Sequence, residues 1–324
     1  MPKVSVVIPV YGAEKYIKRC ACSLFEQTLD SIEYIFVDDC TPDKSMDILI
    51  DTLNEYPERK SQVRIIPLEK NSGQSVGRAI GMEAATGEYL ISCDSDDWVE
   101  PEMYETMYDT AKQSDVDMVM CDVWFHKQNN RIEYFNIGDF ASPHEMLTCG
   151  KFLILWSMWD KMIKTEIIHK YRPYAVPGMN MWEDVCSSML VMYYAKTLKQ
   201  IHRPFYHYDM TRYNTTASSP ITFNKVQAQA KNLQEVFRRF GEEGFDMGDT
   251  GMIYKRFVRD NFLILRPIPF AFWRKVFPEV VWHVYSDKQY SLVYRLCYVL
   301  ATYGCYIPFK LQMWFWKIRN QKKA

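Results

Sequence analysis

Cys93-Asp94-Ser95-Asp96-Asp97 follows the apolar run Tyr89-Leu90-Ile91 after a single Ser92, and no other stretch concentrates carboxylates so tightly at the end of a strand pattern. Open α/β sheets bind ligands outside the carboxyl ends of their strands, so an acidic turn in that place is set to meet a ligand. Hard divalent cations take oxygen ligands, and Mg²⁺ in particular is held by one or two carboxylates together with substrate phosphates. The spacing therefore points to a metal-diphosphate site, with Asp94, Asp96 and Asp97 as its acids. A simpler reading makes the same stretch a solvated acidic turn, with Asp97 capping a helix that begins near Pro101.

Other residues could act with that turn. Asp38-Asp39 closes the run Tyr34-Ile35-Phe36-Val37, Arg78 follows Asn71-Ser72-Gly73 in a helical pattern, and Glu183-Asp184 opens another helix. Each also has an ordinary structural use. Paired Asp residues end strands and shape turns, first-turn acids suit the helix dipole, and an Arg on a helix is commonly solvated. Lys161 and Arg212 are candidate counter-charges for phosphate, and Trp182 a candidate acceptor contact, although Trp156, Trp159 and Trp182 all read more readily as core. The six histidines show no ligand spacing.

The elements that must position these groups are legible over the first 120 or so residues. Val4 to Ile8, Tyr34 to Val37, Val63 to Ile66, Tyr89 to Ser92 and Asp117 to Cys121 are short, apolar and β-rich, as strands buried on both faces are. Between them, Ile17, Cys20, Leu24 and Phe25, then Met46, Leu49, Ile50 and Leu53, then Val76, Ile80 and Ala84 recur at helical spacing. Strands alternating with helices imply right-handed crossovers and a doubly wound, mostly parallel sheet. Farther on, Lys151 to Lys164 is expected as a helix, Met181 to Val185 as the start of another, Pro204 to Tyr208 as a strand returning to the sheet, and everything after Pro220 as helical. No Gly-x-x-x-x-Gly-Lys-[Ser/Thr] occurs, and the first strand leads into Pro9-Val10-Tyr11-Gly12 rather than Gly-x-Gly-x-x-Gly. A nucleotide would be held by carboxylates and a metal, without a glycine cradle.

Taken in order, Val4–Tyr11 with Pro9 and Tyr11, Val37-Asp38-Asp39, Asn71-x-Gly73 leading to Arg78, Asp94-x-Asp96-Asp97 and Glu183-Asp184 resemble the family 2 glycosyltransferases over roughly residues 3–215. The resemblance implies an α/β fold of the GT-A type, a Rossmann-like sheet flanked by helices, followed here by a helical C-terminal region. It divides the chain into a transferase domain, 1–220, with a nucleotide-sugar half near 1–122 and an acceptor half near 123–220, and the region 221–324. It also implies roles: Pro9, Val10 and Tyr11 lining the nucleotide pocket, Asp39 accepting from a uracil-like base with Asp38 in support, Arg78 against the phosphates, Asp94 on the ribose, Asp96 (beside Asp97) on Mn²⁺ or Mg²⁺, and Asp184 with Glu183 as general base. Such an enzyme inverts the anomeric centre and moves a sugar, from a UDP-sugar by expectation, to a glycan or lipid-linked acceptor. Two departures flank the donor pocket: Cys40-Thr41-Pro42-Asp43 replaces the usual Gly-Ser-Thr, and Ala79 stands where Asn commonly follows the Arg.

Net charge over the chain is −1, yet residues 252–324 carry 13 Lys and Arg against 3 Asp and Glu, with 18 aromatic residues. A basic, aromatic tail on an acidic body suggests a negatively charged partner surface. The longest uncharged run, Leu296 to Phe309, is 14 residues, against the roughly 20 a spanning helix needs. The tail is thus expected to lie on an anionic membrane, with Trp314 and Trp316 at headgroup depth and Lys317, Arg319, Lys322 and Lys323 on the lipid. The alternative is a helical subdomain packed on the enzyme. No nucleic-acid fold is recognisable. Scattered cysteines suit a reducing cytosol, the start leaves no room for a signal peptide, and the expected location is cytoplasmic, peripheral on the inner membrane face. Two rival functions are a sugar-nucleotide nucleotidyltransferase, disfavoured by the missing triphosphate loop, and a catalytically silent nucleotide-sugar-binding subunit, disfavoured by intact Asp96 and Asp184.

Overall fold

The first strand, β1 (Val4–Val10), is buried at every position, as a central parallel strand must be when helices cover both faces. It lies between β2 (Ile32–Asp38) and, on its other side, the fourth strand Tyr89–Ser92, parallel to both. The crossover helices are α1 (Ile17–Phe25), α2 (Ser45–Glu55) and α3 (Gln74–Ala84), with β3 (Val63–Pro67) beyond β2. Helix α3 sits close on β1 because Gly81 has no side chain: a Cβ there would lie 2.3 Å from Val7 Cγ1. That contact brings Arg78, three residues earlier, to the strand ends. This computed structural model describes residues 1–150, 157–174, 176–211, 220–265 and 267–312.

The remaining elements of the first unit are β4 (Tyr89–Ser92), β5 (Trp98–Val99), α4 (Met103–Ser114), β6 (Met118–Lys127), β7 (Arg131–Phe135), α5 (Pro143–Thr148), β8 (Lys161–Lys164), α6 (Thr165–Tyr171), α7 (Glu183–Tyr194) and β9 (Leu198–Asp209). The sheet order is β3-β2-β1-β4-β8-β6-β9-β5, with β7 paired to β6. The parallel expectation holds for β3-β2-β1-β4. Beyond β4 the sheet is mixed: β4–β8, β8–β6, β6–β7 and β5–β9 are antiparallel, while β6–β9 is parallel. The returning strand expected at Pro204–Tyr208 is the middle of β9. Lys161–Lys164, expected as the end of a helix, is instead a strand, because pairing with Leu90 and Met118 buries Met162 and Ile163 in the sheet. Of the rest of that expected helix, 157–160 form a turn, and 151–156 with Trp156 lie outside the described residues.

The core runs under the sheet through Val6, Ile8, Leu24, Phe36, Ile91 and Phe205. Trp159 belongs to it, stacked on Tyr206 with ring centroids 4.3 Å apart. None of the nine cysteines forms a disulfide.

The chain forms two compact units, residues 1–219 and 220–324. The second unit is helical, with α8 (Phe223–Glu242), α9 (Gly248–Asn261), α10 (Phe270–Trp273), α11 (Val280–Ser286) and α12 (Leu292–Thr302). It has its own core, in which the fully buried Arg259 lies 4.2 Å from the Trp273 ring centre and donates to the Trp273 carbonyl and the Thr302 hydroxyl. Trp314, Trp316, Lys317, Arg319, Lys322 and Lys323 fall outside the described residues.

Candidate active site

Because β1 lies between β2 and β4, the three loops leaving their carboxyl ends are neighbours, and Asp38-Asp39 and the Asp94–Asp97 cluster sit on two of them. On the first, Pro9 and Val10 are buried in β1, whereas Tyr11 is half exposed. On the second, Asp38 Oδ1 accepts the Thr41 amide at 2.9 Å. Thr41 in turn accepts the Gly12 amide at 2.9 Å and donates to Asp43. Thr41 and Asp43 thus tie the first loop to the second.

Asp39 is buried, and its two oxygens accept the amides of Ser72 and Gly73 at 2.6 and 2.8 Å. Each carboxylate oxygen keeps a second lone pair, so an additional donor can be accommodated. The Gly73 corner is constrained from its far side as well. Gly73 has φ +89°, and a Cβ there would meet the Asn180 side chain at 1.9 Å. Asn180 Oδ1 accepts the Ser75 amide at 3.2 Å and the Ser75 hydroxyl at 2.7 Å. It thereby caps α3, whose own N-cap residue, Gly73, has no side chain to do so.

Arg78 is the hub. Its Nε donates to Ser92 Oγ at 3.3 Å, its Nη2 to Asp94 Oδ1 at 2.9 Å, and its Nη1 lies 3.7 Å from Glu183 Oε1 without making a hydrogen bond. Gln74 also donates to Asp94 Oδ1, at 3.2 Å. Arg78 thus joins residues 78, 94 and 183, which are far apart in sequence. Trp182, just before the acid pair, takes a left-handed φ of 66°, a conformation that costs a bulky residue energy and clusters at functional sites. Burial raises the pKa of Glu183. It also pushes Asp184 up to about 8, with the charge of Glu183 adding and Arg78 opposing.

Among the described residues, Asp94, Asp96 and Asp97 can each offer a carboxylate oxygen, all within 4.8 Å of one another. Three hard oxygen donors with no thiolate or imidazole suit Mg²⁺ or Mn²⁺. Their surroundings differ. Asp97 is fully buried, its oxygens accepting the Tyr206 hydroxyl at 2.8 Å and the Asp209 amide at 2.9 Å. Burial, with the charge of Asp94 second, holds its pKa well above the usual carboxylate range. The same Tyr206 hydroxyl accepts the Asp94 amide at 3.1 Å. Arg19 braces the turn from outside: it donates to the Asp96 carbonyl at 3.0 Å, pairs with Asp209 at 2.8 Å and lies over the Trp98 ring. Of the three acids, Asp97 is the one buried most deeply in the fold.

Two loosely expected contacts fare differently. Lys161 is fully buried and donates to the Ser157 carbonyl and Asp160 at 2.9 and 2.8 Å. This corrects the expectation of a phosphate contact, since its ammonium has no exposed surface. Arg212 lies outside the described residues. Asn180, Tyr206, Arg19 and Asp209 were not singled out from sequence. Their partners lie 77 to 190 residues away, and no local pattern announces a contact of that range.

Comparison with known proteins agrees with this geometry. The family model "Glycosyl transferase family 2" matches residues 5–172. EpsH of Bacillus subtilis, which bears a glycosyltransferase name, is 31% identical over 64% of this chain and 60% of its own length. A cholesterol galactosyltransferase of Borreliella burgdorferi is 25% identical over 94% of this chain and 86% of its own. Among solved structures, residues 1–349 of TarS from S. aureus, in complex with UDP-GlcNAc, superpose with a TM-score of 0.68 at 17% identity, covering 95% of this chain and 89% of that one. The fold is therefore that of the GT-A transferases, and the chain belongs to glycosyl transferase family 2.

Proposed function

We propose that this glycosyltransferase takes a sugar from a nucleoside diphosphate donor, a UDP-sugar, and places it with inversion on a hydroxyl of a glycan or lipid-linked acceptor at the inner face of a membrane. The observation that carries the reading is the convergence on Arg78 of the loop holding the acid cluster and the helix holding Glu183-Asp184. In this reading Asp39 and Tyr11 would contact the base and Asp94 the ribose. Arg78 keeps a buried N–H that makes no hydrogen bond and faces Glu183, a donor suited to an anionic oxygen. Asp96, with its neighbours, would hold Mn²⁺ or Mg²⁺, which when bound supplies positive charge against the departing diphosphate.

Asp184 is the general base. An acceptor hydroxyl attacking the anomeric carbon must lose its proton, and one carboxylate within hydrogen-bond reach suffices. A carboxyl titrating near 8 is matched to that task, because proton acceptance is most effective when the pKa lies close to the working pH. Burial sets that value first, and the charge of Glu183, which faces Arg78, adds to it. A single base acting opposite the leaving group gives inversion.

The test is nucleoside diphosphate release from a panel of nucleotide sugars with Mn²⁺ or Mg²⁺. Metal-dependent release from one donor is expected, falling by about 10²-fold or more in Asp96→Ala. Asp184→Asn should keep metal-dependent donor binding by calorimetry while transfer to an acceptor falls by about 10²- to 10⁴-fold. Failure of every donor to bind with metal would overturn the reading.

A further inference from the structure

Helix α12 is apolar on both sides. One side faces the core of its unit through Tyr298, which packs on Trp273 at 5.0 Å and on Phe309 at 5.8 Å. The other carries Leu292, Leu296 and Leu300, and the chain beyond continues the series with Tyr303, Ile307 and Leu311; all six are 44 to 71% exposed. Leu292, Leu296 and Leu300 recur every four residues along one face of α12; the helix ends at Thr302 and the chain turns at Gly304, φ +101°, before Ile307 and Leu311. A helix apolar all round is buried in protein or lipid, and solitary exposed apolar residues are ordinary where a run of this length is not.

Charge identifies the occupant. Residues 288–324 contain seven Lys and Arg and no Asp or Glu. Lys288 and Lys310, within the described part, are exposed. Apolar side chains in a segment of unopposed positive charge match a surface that is apolar beneath and negative on top. No helix among the described residues is long and apolar enough to cross a membrane, so such a segment would lie in the interface plane, with Tyr303 suited to its boundary.

We propose that the exposed apolar residues of this segment, Leu292, Leu296 and Leu300 on α12 with Tyr303, Ile307 and Leu311 after it, form the surface by which this protein sits on an anionic lipid bilayer. This rests on the membrane-side reading above and assigns it to residues other than the terminal tryptophans that the sequence singled out.

The experiment is vesicle co-sedimentation of the full chain, comparing phosphatidylcholine alone with phosphatidylcholine mixed with phosphatidylglycerol. Wild type should bind the mixed vesicles at least about tenfold more tightly than the neutral ones. The double change Leu296→Glu and Leu300→Glu, at exposed positions, should lower binding about tenfold or more while leaving the melting temperature and donor hydrolysis unchanged. Lys288→Glu with Lys310→Glu should weaken binding to the mixed vesicles alone. Undiminished binding by the leucine variant, equal binding to both vesicle types, or a dimer in light scattering that the leucine variant splits would each overturn the proposal. Donor hydrolysis is measured on the same samples without lipid, so failure of the transferase reading shows itself separately.

Discussion

With its pKa pushed up to about 8, Asp184 holds its proton in the folded protein at pH values where the unfolded chain would have released it. Glu183 is displaced in the same direction. A carboxyl that binds its proton more tightly when folded stabilises the protein below the ordinary carboxylate pKa, and that contribution is lost as pH rises through the folded-state value. The metal-free protein should therefore melt at progressively lower temperature from about pH 5 to about pH 8, by up to about 1.4 kcal/mol per unit from one such group. Asp184→Asn should flatten this slope, and a profile indistinguishable from wild type would count against the burial of that carboxyl. At the other end of the site, Asn180→Ala removes the cap on α3 and should cost about 1 kcal/mol in denaturant unfolding. Gly73→Ala should cost more, because it meets both the left-handed φ and the Asn180 amide.

At the scale of elements, the loop with the acid cluster is held by β9. Tyr206→Phe removes the hydroxyl that bridges Asp97 and the Asp94 amide. It should cost about 1 to 3 kcal/mol, since a buried carboxyl loses its donor, and should weaken metal binding by calorimetry more than a distant core change of equal cost. The sequence made the strands up to β4 plain, because each is a short apolar run between helical patterns, and it placed Asp39, Arg78, Asp94 and Asp184 in elements that do converge. It misread β8, where Lys161 and a preceding apolar stretch imitate a helix, and the two-residue β5 is too short to show any period. Asn180 and Tyr206 carry no signal of their own, since what makes them matter is which distant backbone amide they meet.

For the whole molecule, the contrast between residues 252–324, at 13 basic to 3 acidic, and the acidic remainder separates two kinds of salt dependence. Raising ionic strength shortens the Debye length from about 10 Å near 0.1 M to about 3 Å near 1 M. Vesicle binding should therefore weaken steeply over that range while donor hydrolysis, set among buried groups, changes little; parallel loss of both would place the basic segment in the catalytic machinery instead.

The cage around Asp97 also bears on how the protein is made. Both of its partners come from β9, 109 and 112 residues downstream, and β5, beside it, has β9 as its hydrogen-bonded neighbour in the sheet. Contacts of such separation form late, because a long loop must close before they repay it. A nascent chain emerging from the ribosome through β6 already contains Asp39, Arg78, Asp94 and Asp96, yet the turn that arranges the acids is unfinished. Donor affinity should thus arrive in one step, after β9 has been synthesised and has docked, rather than grow with chain length. Ribosome-stalled chains ending before and after β9 would differ in donor binding accordingly, making the nucleotide site the last feature of this unit to mature although most of its residues are the first translated.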